Sequence, residues 1–266
     1  MSVKLIYYKM WFKVKAFLKF LWHSKNQHGI HSPFVYKLIT KCFYDKSQYP
    51  SYKLWNEVQQ ELLNSEDILE VEDVGAGSKV FNSNKRPVSK IAKHVSISRK
   101  RARLMIRLVD YLKIENALEL GTSIGLGSIS IAGSGQVDMK TIEACSVTLD
   151  YAQDQFEKLR LTRITSINSS FAESLAGLKS EEKFDLVFID GHHDGKATLE
   201  YFKSLLKYKH NDALFIFDDI HWSPSMEMAW ERIKTHPEVQ VTIDTFQWGL
   251  VFFRKEQVKQ DFIIRV

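Results

Sequence analysis

The chain has only two cysteines in 266 residues, Cys42 and Cys145, far apart and in no metal-ligand spacing. This excludes a disulfide framework and a zinc knuckle, and it fits a reducing cytoplasm. Long apolar runs are missing too. The first 22 residues come nearest, but lysines at 4, 9, 13, 15 and 19 interrupt them, which excludes a spanning helix and a signal peptide. The pyrophosphate-binding spacing G-x-G-x-x-G of nicotinamide enzymes is absent as well. Excess charge is slight: 37 Lys and Arg stand against 32 Asp and Glu, for a net +5. That balance permits a nucleic acid, an anionic lipid or an acidic small molecule and demands none of them.

A 44% hydrophobic fraction easily supplies a core. It suits one large domain, or one domain with an N-terminal extension. Residues 117–128, Ala-Leu-Glu-Leu-Gly-Thr-Ser-Ile-Gly-Leu-Gly-Ser, are the most informative stretch. A short apolar run ends on Glu119 and is followed by Gly121, Gly125 and Gly127, then by apolar residues at helical spacing. This is the layout of a buried strand turning tightly into a helix. Glycines there let the backbone approach a nucleotide-like ligand closely. An acid at the strand end repels a pyrophosphate and attracts the ammonium of an amino-acid moiety. Met139 to Glu143 reads as a second strand whose terminal acid, Glu143, accepts two ribose hydroxyls. A rival glycine turn at Glu72 to Ser78 is followed by a polar, basic, proline-interrupted segment, and reads as a flexible turn near the site.

From residue 117 onward strand and helix alternate, with strands expected at 117–120, 139–143, 162–167, 184–190 and 213–218. This implies a parallel sheet covered on both faces. Val239 to Asp244 and Trp248 to Arg254 close it as an antiparallel hairpin. Strand ends deliver Asp190, and then Asp218 and Asp219, to one carboxyl edge, where ligands of open α/β sheets sit. Two carboxylates 4 Å apart repel by roughly 4 kcal/mol at an effective dielectric near 20. A bound Mg²⁺ or similar hard cation relieves this.

Acid, glycines and second acid together resemble the S-adenosylmethionine site of class I methyltransferases. Residues 115–255 resemble the metal-dependent O-methyltransferases of the catechol type and the related sugar and macrolide enzymes. The resemblance implies a seven-stranded sheet with a C-terminal antiparallel hairpin at 113–266, behind an N-terminal helical extension and lid at 1–112. It implies S-adenosylmethionine contacts at Glu119, Gly121, Thr122, Ser123, Gly125, Glu143 and Asp190. It places a divalent cation on Asp190, Asp218 and Asp219. The catechol type has Asp-Asn where this chain has Asp218-Asp219, which shifts the expected acceptor away from catechols. His193 occupies the place of the catechol-type lysine base, with His221 as second choice. For adenine the segment offers Ser170 with Phe171. The implied reaction is O-methylation of a small-molecule acceptor.

The remaining segments read mainly as helices. Ser32 and Pro33 start one over 33–43, a second covers 51–64, and 88–112 is a third. Residues 85–107 hold nine Lys or Arg and no acid, which reads as a solvated face, with a nucleic-acid-binding module as the alternative. Positions 3–21 form an amphipathic helix that docks on the body or on a second subunit, or lies on an anionic membrane. No specific nucleic-acid partner is expected. A homodimer is one possible assembly.

Overall fold

The computed structural model describes residues 3–71 and 84–266, with side chains of the first helix described from residue 11 onward. The rival turn at Glu72 to Ser78 lies outside the described residues. The chain divides into two compact units: a continuous one, Lys41–Lys179, and one built from both ends, Met1–Thr40 with Ser180–Val266.

The ends unit begins with α1 (Val3–His23) and α2 (Pro33–Leu38). The Ser32 side chain accepts the Val35 N–H and Pro33 supplies a helical φ, so α2 starts where its cap dictates. Beyond Leu38 the expected helix continues as a π-helical turn, Ile39–Phe43.

The continuous unit holds α3 (Pro50–Leu63), an antiparallel pair β1 (Ile68–Glu70) and β2 (Lys85–Pro87), α4 (Val88–His94) and α5 (Arg99–Leu112). Then come β3 (Asn116–Leu120), α6 (Leu126–Ala132), β4 (Asp138–Glu143), α7 (Ser146–Lys158), β5 (Ile164–Asn168) and α8 (Phe171–Gly177). Strands β3, β4 and β5 pair in parallel, with Glu119 opposite Thr141 and Glu143 opposite Asn168.

The helix expected over 88–112 is two helices. Val95 and Ser96 turn their N–H groups back to the Ile91 carbonyl, and the Ser98 side chain caps α5. The basic run is partly consumed inside the protein: Arg107 donates to Tyr52 Oη and to the Phe43 carbonyl, each at 3.1 Å, while Arg103 lies over the Tyr52 ring. Trp55, fully buried, donates its indole N–H to the Leu126 carbonyl at 2.9 Å. Helices α3 and α5 pack on α6, so the sequence boundary at 112/113 falls inside this unit.

The ends unit resumes with β6 (Leu186–Ile189), α9 (Gly195–Leu205), β7 (Leu214–Asp218), α10 (Pro224–Thr235), β8 (Val241–Asp244), β9 (Trp248–Phe252) and β10 (Gln260–Ile263). Their order is β10-β8-β9-β7-β6. Strands β6 and β7 are parallel, and β9 runs antiparallel to β7 and β8, which is the expected hairpin. Every residue of β6 to β9 is buried, as near-continuous apolar strands require. Beside β8 the short β10 adds a parallel strand that alternation did not reveal, giving eight strands where seven were expected. No described helix is long and apolar enough to cross a membrane.

Candidate functional site

In the continuous unit the glycine loop connects β3 to α6. Three of its residues have left-handed φ: Gly121 at 109°, Ser123 at 49° and Gly125 at 88°. At Gly125 a Cβ would stand 2.9 Å from the Phe156 ring, so both conformation and space call for glycine there. Glu143, half-buried at the end of β4, fixes the loop by accepting the Ser123 N–H at 3.0 Å and the Cys145 N–H at 3.1 Å. Two opposed backbone donors hold its carboxylate in one orientation, and each oxygen keeps a lone pair for a further donor.

Beneath the loop lies a polar network that the sequence did not announce. Glu119 has no exposed surface; its Oε2 accepts hydrogen bonds from Ser128 Oγ and from Thr141 Oγ1, the latter at 2.6 Å. Thr141 is bonded in turn to Thr122, hydroxyl to hydroxyl, at 2.6 Å. Burial pushes the Glu119 carboxyl up to about 7, its two hydroxyl donors pull it down and Glu143 pushes it up again. The other oxygen, Oε1, is buried with no hydrogen-bond partner among the described residues. Contact with a ligand's ammonium, expected of Glu119, does not fit a side chain closed off on every side. It sits under the loop and acts on whatever binds above through its field. Thr122 likewise turns its hydroxyl inward. The signal for Thr141 was its register opposite Glu119, which only strand pairing reveals.

Ser170 is the N-cap of α8: its Oγ accepts the Glu173 N–H and donates to Glu173 Oε2 in a capping box. Helix capping thus occupies the hydroxyl expected at adenine. Phe171, beside it, is half-buried.

In the ends unit a second cluster forms where parallel β6 and β7 finish. Asp190, His193 and Asp218 each offer a ligand atom, all within 4.8 Å of one another. His193 Nε2 is 4.0 Å from Asp190 Oδ1, and its ring lies tilted against Trp222. Backbone strain gathers here: His192, His193 and Asp219 all have left-handed φ, at 68°, 39° and 51°. The two carboxylates fit a hard divalent cation, and the His193 imidazole stands beside them, placed to join the ligands or to take a proton. Asp219, expected as third ligand, is outside this group, and its charge acts on Lys13 of α1. Lys13 is the residue sequence reasoning missed: its ammonium sits 3.1 Å over the Trp222 ring. Burial lowers its pKa, against the pull of Asp219. Sequence reasoning had placed it only among the lysines that interrupt the apolar runs of α1. The neighbouring His192 bonds to Tyr201 Oη at 2.9 Å.

His221, the second candidate base, has both ring nitrogens engaged: Nδ1 with Glu227 at 2.7 Å and Nε2 with Asp244 at 2.8 Å. Burial alone would lower its pKa, but the hydrogen bonds and charges of Asp244 and Glu227 prevail and raise it to about 9. It is an imidazolium with no free lone pair, which does not suit a general base. Its ring stacks on Phe246, and Phe246 in turn receives Phe17 and Phe20 of α1.

A family model described as a methyltransferase domain matches residues 118–220. Among solved structures the chain is similar to the S-adenosylhomocysteine-bound methyltransferase PaMTH1 of Podospora anserina, with TM-score 0.58, 12% identity and coverage of 85% of this chain and 97% of that one. It is similar to the O-methyltransferase TomG of Streptomyces achromogenes, in complex with S-adenosylmethionine and involved in tomaymycin synthesis, at TM-score 0.56, 14% identity and coverage of 81% and 95%. An O-methyltransferase of Bacillus cereus, in complex with S-adenosylhomocysteine, matches at TM-score 0.54, 17% identity and coverage of 82% and 96%. No curated protein matches. Residues 118–220 thus match a methyltransferase-domain model, and the chain has the fold of a class I methyltransferase.

Proposed function

We propose that the protein is an S-adenosylmethionine-dependent O-methyltransferase acting on a small-molecule acceptor with the help of a divalent cation. The observation that carries this reading is the loop of left-handed Gly121, Ser123 and Gly125 tied to Glu143. The cofactor supplies an electrophilic methyl group on a sulfonium. Gly121 and Gly125 would present bare backbone to its methionine part, Glu143 would accept hydrogen bonds from the ribose hydroxyls, and Phe171 would serve the adenine. Buried Glu119, with its unpartnered Oε1, supplies a negative field suited to a cationic ligand.

The cation would polarise the acceptor hydroxyl and lower its pKa. Asp190 and Asp218 would hold it, and His193 would take the hydroxyl proton, a task suited to an imidazole near neutral pH. Lys13 and Trp222 border this acceptor side and keep bulk water from it. His221 acts through structure, by fixing Glu227, Asp244 and Phe246.

Calorimetric titration with S-adenosylhomocysteine tests the cofactor half. The wild type is expected to bind, and Glu143→Ala to lose roughly tenfold or more, as removal of charge-assisted hydrogen bonds does. Binding of NAD in place of S-adenosylhomocysteine would instead make the protein an oxidoreductase. For the acceptor half, Mn²⁺ titration of Asp218→Asn should show weakened metal binding. His193→Ala should keep the metal and lose turnover. A metal loss in His193→Ala equal to that in Asp218→Asn would make His193 a ligand and remove it as base.

A further inference from the structure

The apolar stripe of α1 is not the side that packs on the protein. Its inner edge is Lys13, Ala16 and Phe20; Ala16 and Phe20 are buried, and Phe17 and Phe20 meet Phe246. The stripe itself points outward. Trp11 is 68% exposed, Leu18 59% and Trp22 86%, with Val14 and Leu21 exposed beside them. At helical spacing these five residues cover an arc of about 100°. Exposed Lys15 and Lys19 line one margin of that arc. Over its whole length α1 carries five lysines, one histidine and no acid.

We infer that α1 docks on an anionic lipid surface, lying in the plane of the interface with Trp11, Leu18 and Trp22 at the headgroup boundary. Two features of α1 fit this partner better than a second copy of the chain. Two exposed tryptophans on one face suit the wet, half-apolar interface, where their rings settle. A margin of lysines on a helix that carries no acid of its own is complementary to anionic headgroups. A second copy of the chain is the other apolar partner at hand. Symmetric pairing through this stripe would set Lys15 and Lys19 close to their own counterparts and cost repulsion. The inference rests on how α1 packs and stands apart from the methyl-transfer reading.

Co-sedimentation of the full chain with vesicles tests it. The protein should pellet with phosphatidylcholine vesicles containing 30% phosphatidylglycerol, remain largely soluble with pure phosphatidylcholine, and detach as salt rises. Tryptophan emission should shift to the blue on binding. The double variant Trp11→Asp with Leu18→Asp changes only exposed positions and should lower partitioning by about tenfold or more. Lys15→Glu with Lys19→Glu should abolish the preference for the anionic lipid. S-adenosylhomocysteine titration of the same variants reports separately on their folding and on the cofactor reading, and should match the wild type. The inference is overturned if the wild type ignores anionic vesicles, or if both variants bind them as it does. It is also overturned if light scattering finds a wild-type dimer that the aspartates dissociate.

Discussion

Glu119 and His221 are both ionisable groups shut inside the protein, and their surroundings treat them in opposite ways. Glu119 is met only by hydroxyls, from Ser128 and Thr141, and one oxygen has no hydrogen-bond partner among the described residues. His221 lies between two carboxylates that account for both its nitrogens. A charge completed by its own fold is architecture. One left incomplete beneath the glycine loop has no counter-charge of its own. A buried acid without a cationic neighbour costs stability whenever it ionises, and only binding of a cation offsets that cost. The same burial thus yields a structural rivet in one unit and an uncompensated acid in the other.

The largest effect that would break this contrast lies at His221. Replacing it by Asn leaves Glu227 and Asp244 without their cation, at a cost of about 3–5 kcal/mol in denaturant unfolding. The pH dependence has a definite sign. The folded imidazole holds its proton up to about 9, whereas the unfolded one releases it near 6.5. Its contribution is therefore complete below 6.5 and is lost as pH rises toward 9. His221→Asn should erase that slope. A variant with unchanged stability and no turnover would return His221 to the chemistry.

Next comes Glu119→Gln. It keeps the shape and removes the charge, and should weaken S-adenosylhomocysteine binding by about tenfold, or 1.4 kcal/mol. Because the carboxyl of the free protein titrates at about 7, a ligand ammonium should bind better as pH rises from 6 to 8 and release protons as it does. Calorimetry in buffers of different ionisation enthalpy measures this directly, and Glu119→Gln should flatten the profile. Equal profiles for variant and wild type would reduce Glu119 to a bystander.

The smallest effect sharpens the comparison further. Ser128→Ala withdraws one hydroxyl from Glu119, a loss of about 1 kcal/mol from the ionised form. The midpoint of the pH-dependent binding should move upward by somewhat less than one unit.

How much of this was legible beforehand follows from how local each signal is. The glycine loop, the acid at the end of β4 and the apolar runs of β6 and β7 are written in consecutive residues, so their positions came through. Caps were partly readable: Ser32 was recognised, while Ser98, which breaks the basic stretch into α4 and α5, was hidden inside an apparently continuous helical pattern. Thr141 could not be paired with Glu119, nor Glu227 and Asp244 with His221, because those partners meet only through strand register and a returning hairpin. Lys13 was misjudged for a related reason. Helical periodicity separates an apolar arc from a cationic one but does not say which arc the rest of the chain will cover.

The construction of one unit from both chain ends imposes an order on biosynthesis. Helix α1 leaves the ribosome long before the Phe246 ring that receives it and the Ile263 carbonyl that accepts the Lys25 N–H. The continuous unit, Lys41–Lys179, has all its strands and helices in hand before either arrives. Throughout that interval Phe17 and Phe20 are without their docking surface. The nascent chain must therefore carry a sticky, lysine-studded helix until those later strands emerge, and a chaperone or a nearby lipid surface is the natural shelter for it.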